Sequence, residues 1–227
     1  MDKKILKELS LIPIAMFILT IIYTMLVKFV DVEKIGPYGS EVGFSSINKV
    51  FRNSLDYNGF FYYLTQILGY VALLVCLFMA VLGLIQLIKR KSIKKVDQYI
   101  LLLGLIYLIT IFFYVFFMVV VVNYRPIGDE LESSYPSSHT MLAIVVFFSA
   151  PLVLGEYIKD KKMMLALKIV MYSLIVITVV GRVLSGVHWI TDIFGGALYA
   201  TSILTLLYFL KIVVDMKLAK VNREKVE

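Results

Sequence analysis

His139 and His188 are the two histidines of this chain, and each stands where a long apolar run meets a short polar segment. The first closes Pro136-Ser137-Ser138-His139; the second opens His188-Trp189-Ile190-Thr191-Asp192, six residues after Arg182. Tyr124-Arg125-Pro126 ends another apolar run shortly before the first histidine. Ionisable groups at a bilayer edge are costly to bury, so each of these is a functional candidate.

His188 and Asp192 lie four positions apart, which on a helix puts them on one face. The carboxylate would then accept a hydrogen bond from one ring nitrogen and leave the other free as nucleophile or base. Such pairs also occur as structural hydrogen bonds, so the pair alone decides little. Pro136, Ser137 and Ser138 ahead of an apolar run read as a helix start. Its unpaired N–H groups and partial positive charge suit phosphate oxygens. Ser137 adds a hydroxyl, and His139 in the first turn can transfer a proton. By itself this is an ordinary capped helix with a surface histidine. Arg125 and Arg182 change that balance, because planar guanidiniums hold phosphate oxygens in bidentate geometry and stay charged. An edge arginine can also simply snorkel to headgroups. Two arginines converging with two histidines and a helix N-terminus describe a phosphoryl-transfer site, where positioning and charge stabilisation do most of the catalysis.

The elements that must position these groups are membrane helices. Hydrophobic residues make up 60% of the 227-residue chain and charged residues 17%, with a mean hydropathy of +0.89, greasier than a soluble domain. The excess falls in six runs, about 10–30, 60–88, 99–122, 139–158, 164–184 and 189–213, each near the ~20 residues that cross a hydrocarbon core. Lipid demands internal backbone pairing, so the runs read as helices. The second is longer than a span needs and is expected to tilt or project. The expected fold is all-α: a polytopic six-transmembrane-helix bundle.

Basic residues orient it. Lys3, Lys4 and Lys7, then Lys89, Arg90, Lys91, Lys94 and Lys95, then Lys159, Lys161 and Lys162, then Lys217, Lys220, Arg223 and Lys225 fall on one side if six helices alternate. The positive-inside rule puts that side, and both termini, in the cytoplasm, and the motif residues toward the periplasm or cell exterior. The net charge of +7 is largely this topological signal and does not indicate nucleic-acid binding. The first run is too long for a signal peptide and lacks a small-residue cleavage site, so it is read as a helix. Cys76 is the single cysteine, which excludes an intrachain disulfide or a cysteine metal cluster and suits core packing.

The chain reads as one membrane-embedded domain over 1–227, with a catalytic core at about 60–213 and an external loop at about 31–58. The loop begins with the turn signal Gly36-Pro37-Tyr38-Gly39. Ile47, Val50, Phe51 and Leu55 then follow at helical spacing, with Asn48, Lys49, Arg52 and Asn53 on the other face and Ser45 or Ser46 as cap. This predicts a short amphipathic helix on the outer leaflet, serving as a lid over the bundle or as a lipid contact. Asp129, Glu130 and Glu132 lie in the polar segment 123–138, but loop carboxylates are usually just solvated and no further metal ligands accompany them. The tail from Lys211 to Glu227 is expected to extend a cytoplasmic helix toward anionic headgroups.

Together, Arg125-Pro126, Pro136-Ser137-Ser138-His139 and Arg182 with His188 and Asp192 resemble the tripartite signature of the type 2 phosphatidic-acid phosphatase superfamily. That superfamily includes lipid phosphatases and undecaprenyl-pyrophosphate phosphatases. The resemblance covers roughly residues 60–213. It implies that His188 is the nucleophile forming a phosphohistidine, that Asp192 orients it, and that His139 protonates the leaving oxygen and later activates water. Arg125, Arg182, Ser137 and Ser138, the last through amides near it and His139, would hold the phosphoryl oxygens. The resemblance implies no cofactor and no metal. The implied partners are membrane lipids and a lipid phosphate or polyprenyl diphosphate substrate.

The chain departs from the family pattern at three places. Met118 stands where the first motif has lysine, Gly181 where the third has serine, and Ser138 where the second has glycine. Losing one charge-assisted donor costs on the order of 3 kcal/mol in an oxyanion site, roughly a hundredfold in rate. Lys49, Arg52, Asn123 or Ser185 could supply a compensating donor. Two classes of function stay open: a membrane phosphatase, with a soluble ester or a phosphotransfer acceptor as variants, and a weakened or inactive lipid-phosphate-binding or transport protein.

Overall fold

A computed structural model of the chain describes residues 3–128 and 130–223. Asp129 and Lys225 lie outside the described residues. Among the described residues seven α-helices form: α1 (Lys3–Phe29), α2 (Ser45–Ser54), α3 (Gly59–Arg90), α4 (Gln98–Val119), α5 (Ser138–Leu154), α6 (Lys161–Leu184) and α7 (Ile190–Arg223). Five of them, α1, α3, α4, α6 and α7, are long and apolar enough to cross a membrane, and the chain is a multi-pass membrane protein. The sixth apolar run folds as the 17-residue α5, shorter than the expected 139–158. It starts one residue early, and its end at Leu154 follows Pro151 and precedes Gly155, a pair that weakens helix continuation.

Local chemistry sets the other boundaries. Asn58 accepts the Phe61 N–H at the start of α3, Asp97 accepts from Tyr99 at α4, and Asp160 accepts from Lys162 and Met163 at α6. These are side-chain caps of the kind that satisfy orphan donors at helix starts. Lys89 and Arg90 close α3, where cations complement the helix dipole.

Helices α3 and α6 present most of their surface outward, whereas α5 is buried along most of its length. It packs against α3, α4, α6 and α7, with α1 laid along α7. One core joins Val27, Ile106, Phe117, Met141, Val145, Tyr199 and Ile203. A second joins Ala72, Ala143, Val146 and Phe147. Cys76 is a free, half-buried thiol packed against this second cluster.

The helices alternate so that one end of the bundle gathers the motifs. At that end Tyr23 donates to the Thr191 carbonyl, Asn58 N–H to the Ser185 carbonyl and Lys28 to the Val122 carbonyl. At the other end Tyr99 donates to Asp215 and Lys211 pairs with Glu156.

The expected amphipathic helix is α2, but its cap differs. Ser45 and Ser46 do not cap it with their side chains. Instead the Asp31 carboxylate accepts the Ser46 N–H, while the Ser45 hydroxyl donates to Asp31 and Glu33. A charged acceptor on a neighbouring turn satisfies the same orphan donor more strongly than a hydroxyl. Leu55 falls just beyond the helix. The apolar face turns away from the protein: Ile47, Val50 and Phe51 are 52%, 65% and 40% exposed, while Asn48 is buried.

Candidate functional site

The segment between α4 and α5 is folded back on itself by a single antiparallel bridge, Tyr124 to Ser133. The bridge carries Asn123 and Arg125 on one limb and Glu132 and Ser134 on the other, and Pro136 and Ser137 then lead into α5. Ser137 N–H donates to the Asp192 carbonyl, which ties the start of α5 to the first turn of α7. Between α6 and α7 the five residues 185–189 form a tight connection around Gly186, whose φ of +67° is a left-handed conformation that glycine adopts without strain. A Cβ there would stand 2.8 Å from the Asp56 carbonyl oxygen.

This scaffold brings His188, His139, Arg125, Ser134, Ser138, Gln66 and Met118 around one cavity of about 500 Å³. Arg182 is fully buried beneath it. Its Nη2 donates to His188 Nε2 at 2.7 Å and its Nη1 to Thr65 Oγ1 at 3.2 Å. Arg125 pairs with Glu132 at 2.8 Å. Arg125 Nε, Arg182 Nε and His139 Nδ1 are buried polar atoms with no hydrogen-bond partner among the described residues. Such groups are rare and call for an explanation. Arg182 has no carboxylate partner in the described structure, and an uncompensated buried cation is strongly unfavourable. Its complement is an anion able to take several N–H donors at once.

Asp192 is buried and fully engaged. Asn123 Nδ2 donates to its Oδ1 at 3.0 Å, while Ser134 Oγ and the Trp189 N–H donate to its Oδ2 at 2.5 and 3.1 Å. His188 Nδ1 lies 3.9 Å from that oxygen, too far for a hydrogen bond. The expected direct pair is therefore corrected. His188 precedes the first residue of α7, so the shared helix face never forms, and the Ser134 hydroxyl stands in the gap. Burial, and after it the nearby Arg182, Arg125 and His139, hold the His188 ring well below the usual histidine range, so the ring is neutral.

The predicted site residues thus divide. His188, His139, Arg125 and Ser138 line the cavity, Arg182 contacts His188, and Asp192 acts from behind. Ser137 is not among the lining residues; its hydroxyl is buried and accepts from Thr140. None of the four suggested compensating donors lines this cavity, and each bonds elsewhere. Lys49 pairs with Glu33, Arg52 donates to the Gly186 carbonyl, Asn123 to Asp192 and Ser185 to the Arg182 carbonyl. Sequence reasoning missed Thr65, Gln66 and Gly69 on α3, and Ser134. A polar pair and a glycine inside the apolar run 60–88 were the available signal for the α3 residues.

Gly69 is required by packing: a Cβ there would stand 2.9 Å from His139 Cδ2. Past His139 the cavity continues into a groove of about 320 Å³ between α3, α4 and α5, lined by Tyr70, Leu73, Ile111, Tyr114 and Leu142. Gln66, Tyr114, Ser138, His139 and Met141 belong to both.

Residues 121–212 match the model of the PAP2 superfamily. Over that stretch the chain is similar to this superfamily. The PAP2 stretch holds Arg125, Ser134, His139, Arg182, His188 and Asp192, while Thr65, Gln66 and Gly69 come from outside it. No curated protein matches the chain in sequence. Among solved structures it is similar to a transmembrane PAP2-type phosphatidylglycerolphosphate phosphatase from Bacillus subtilis. The two are 19% identical, with a TM-score of 0.62 over 90% of this chain and 96% of the other. That likeness shows a shared fold over nine-tenths of the chain, well beyond the matched stretch.

Proposed function

We propose that this chain is an integral-membrane phosphatase that removes phosphate from a lipid phosphate or diphosphate, without metal, through a phosphohistidine on His188. The observation that carries this reading is the continuity of two unlike spaces: a polar cavity lined by Arg125 and both histidines, opening into an apolar groove between α3 and α4. A phosphate fits the first and a lipid tail the second, so a lipid phosphate fits the pair. Apolar walls with few convergent polar groups are the usual make-up of a ligand site.

In this mechanism Arg125, Arg182 and the amide end of α5 at Ser138 hold the phosphoryl oxygens. Arg182 shifts its N–H from His188 Nε2 to the phosphoryl oxygens. The freed Nε2 lone pair attacks phosphorus as the P–O bond to the lipid breaks, and His139 gives its proton to the leaving oxygen. Water then attacks the phosphohistidine and passes a proton to His139, the P–N bond breaks, and phosphate leaves. Six spans, with α5 as the short one, and a site facing the periplasm or exterior complete the proposal. The basic clusters at the opposite end of the bundle support that orientation.

One observation favours a second reading. Met118, which stands where the family has lysine, is on the cavity wall. A site lacking that donor could bind or move a lipid phosphate without turning it over.

Phosphate release separates the two. The purified protein in EDTA, given short-chain phosphatidic acid, phosphatidylglycerol phosphate and polyprenyl diphosphate, is expected to release phosphate from at least one. Vanadate should inhibit the reaction and His188→Ala should abolish it. Release that persists in His188→Ala refutes the nucleophile. Binding of all three without release supports the second reading.

A further inference from the structure

The geometry behind His188 assigns a role to Ser134. Its Oγ lies 2.9 Å from His188 Nδ1 and 2.5 Å from Asp192 Oδ2, while the ring nitrogen and the carboxylate are 3.9 Å apart. Hydrogen-bonding capacity fixes the direction of every proton in the chain. Arginine only donates, so at 2.7 Å from Arg182 Nη2 the His188 Nε2 must accept. A neutral ring then carries its proton on Nδ1 and donates to Ser134 Oγ. The serine proton is left for Asp192, and 2.5 Å is in the range of a hydroxyl bound to a carboxylate. The opposite arrangement has Ser134 donating to Nδ1. It would put an N–H on Nε2 against the Arg182 N–H and leave no proton between the serine and aspartate oxygens.

Ser134 is also held independently of both partners. Its N–H donates to the Asn123 carbonyl, one step along from the Tyr124–Ser133 bridge, and the Ser133 hydroxyl anchors the same limb to the Phe117 carbonyl. Asn123, on the facing limb, donates to the other oxygen of Asp192. One small bridge therefore delivers a donor to each carboxylate oxygen.

We propose that Ser134 is a positioning residue that couples Asp192 to His188. Its hydroxyl, rather than the carboxylate directly, accepts the Nδ1 N–H and holds the ring. The Nε2 lone pair, which accepts from Arg182 in this structure, can then turn to phosphorus once that guanidinium moves onto the phosphoryl oxygens. The proposal rests on the phosphatase reading for its kinetic consequence and on geometry for its tautomer. As the Nε2–P bond forms and the P–O bond breaks, the ring becomes cationic with its proton still on Nδ1. The aspartate charge stabilises it through the serine O–H, and the leaving oxygen takes its proton from His139. No proton needs to cross to Asp192.

The test uses the full-length protein in detergent. Because the chain has two histidines, a ¹⁵N-histidine NMR spectrum contains two rings, and His139→Gln assigns them. His188 is expected to show a protonated Nδ1 and an unprotonated Nε2, a distinction that Ser134→Ala blurs. With short-chain phosphatidic acid, Ser134→Ala is expected to lower kcat by on the order of a hundredfold at little changed KM, and Ser134→Thr to restore most of it. A purely structural serine would not shift the tautomer. If Ser134→Ala fails to fold, Ser134→Cys, a weaker donor, should give an intermediate kcat. A wild-type His188 protonated on Nε2, or a folded Ser134→Ala with wild-type kcat and tautomer, overturns the proposal. If the wild type releases no phosphate from any lipid, the phosphatase reading fails, and the NMR result still decides the relay.

Discussion

At the scale of single residues, the two family donors missing here have different structural histories. Gly181 sits against Thr65, and a Cβ at that position would stand 2.7 Å from Thr65 Cγ2. Thr65 fills the volume of the absent serine; its hydroxyl accepts from Arg182 at 3.2 Å and donates to a carbonyl of its own helix, so it steadies the arginine without replacing a phosphate donor. Met118 has no such substitute; it lines the cavity and is 58% exposed. Restoring the two therefore should not be equivalent. Met118→Lys is expected to raise kcat by about tenfold to a hundredfold, the range for one charge-assisted donor. Gly181→Ser should lower activity, because it collides with Thr65 and disturbs Arg182. Steady-state phosphate release from both variants checks the contrast; a gain from Gly181→Ser would overturn the account of Thr65. The neutral His188 ring carries a second prediction, on stability. In the unfolded chain it takes up a proton near its ordinary value of about 6.5, whereas in the folded protein it does so only well below that. Between those limits the unfolded state binds the extra proton, so stability rises with pH toward about 6.5 and no longer depends on this group above it. Each pH unit below 6.5 should remove at most about 1.4 kcal/mol through this group. Melting curves in detergent should fall on acidification, and His188→Gln should flatten part of that fall.

At the scale of elements, α3 contributes more to the site than its apolar sequence suggests. Thr65, Gln66 and Gly69 occupy one side of it, facing Arg182, the cavity and His139 respectively. Gly69 permits the closest of these approaches. Gly69→Ala adds one methyl 2.9 Å from His139 Cδ2, and helix α3 itself should tolerate or prefer alanine. The expected outcome is a protein that still folds, somewhat less stable because the methyl crowds His139, with kcat lower by on the order of a hundredfold, as displacement of a reacting group by about 1 Å can produce. A stable variant with unchanged kcat would remove His139 from the chemistry. The existence and order of the membrane helices were legible because lipid punishes any unpaired backbone group, so apolar length alone nearly determines them. The ends were less so: α5 stops at Leu154, after Pro151 and just before Gly155 and Glu156, short of the expected 158. The amphipathic pattern of α2 was legible, but its orientation was not. Periodicity identifies an apolar face without saying whether protein or lipid covers it, and here Asn48 turns inward to Gly43 and Thr191.

At the scale of the whole molecule, the gathering of Arg125, His139, Arg182 and His188 at one end could be anticipated from the position of each at the edge of a run on one side of the bundle. Ser134 could not, because its contact spans 54 residues to His188 and depends on the Tyr124–Ser133 bridge. No periodicity encodes such a contact. The same alternation of helices places Lys89, Arg90, Lys94, Lys161 and Lys162 at the end away from the site. Basic loops of this kind are retained in the cytoplasm, so the orientation can be tested without reference to catalysis. In a Cys76→Ser background, single cysteines at Glu130 and at Lys94 probe the two ends. A maleimide that cannot cross the membrane, applied to intact cells, is expected to label Glu130→Cys and to reach Lys94→Cys only after permeabilisation. The reverse pattern would place the cavity in the cytoplasm. The basic clusters would then lie on the translocated side, which the positive-inside rule opposes, and the substrate would have to come from the inner leaflet. Labelling of both positions in intact cells would mean that the two ends share a compartment, and the alternation of spans itself would be wrong.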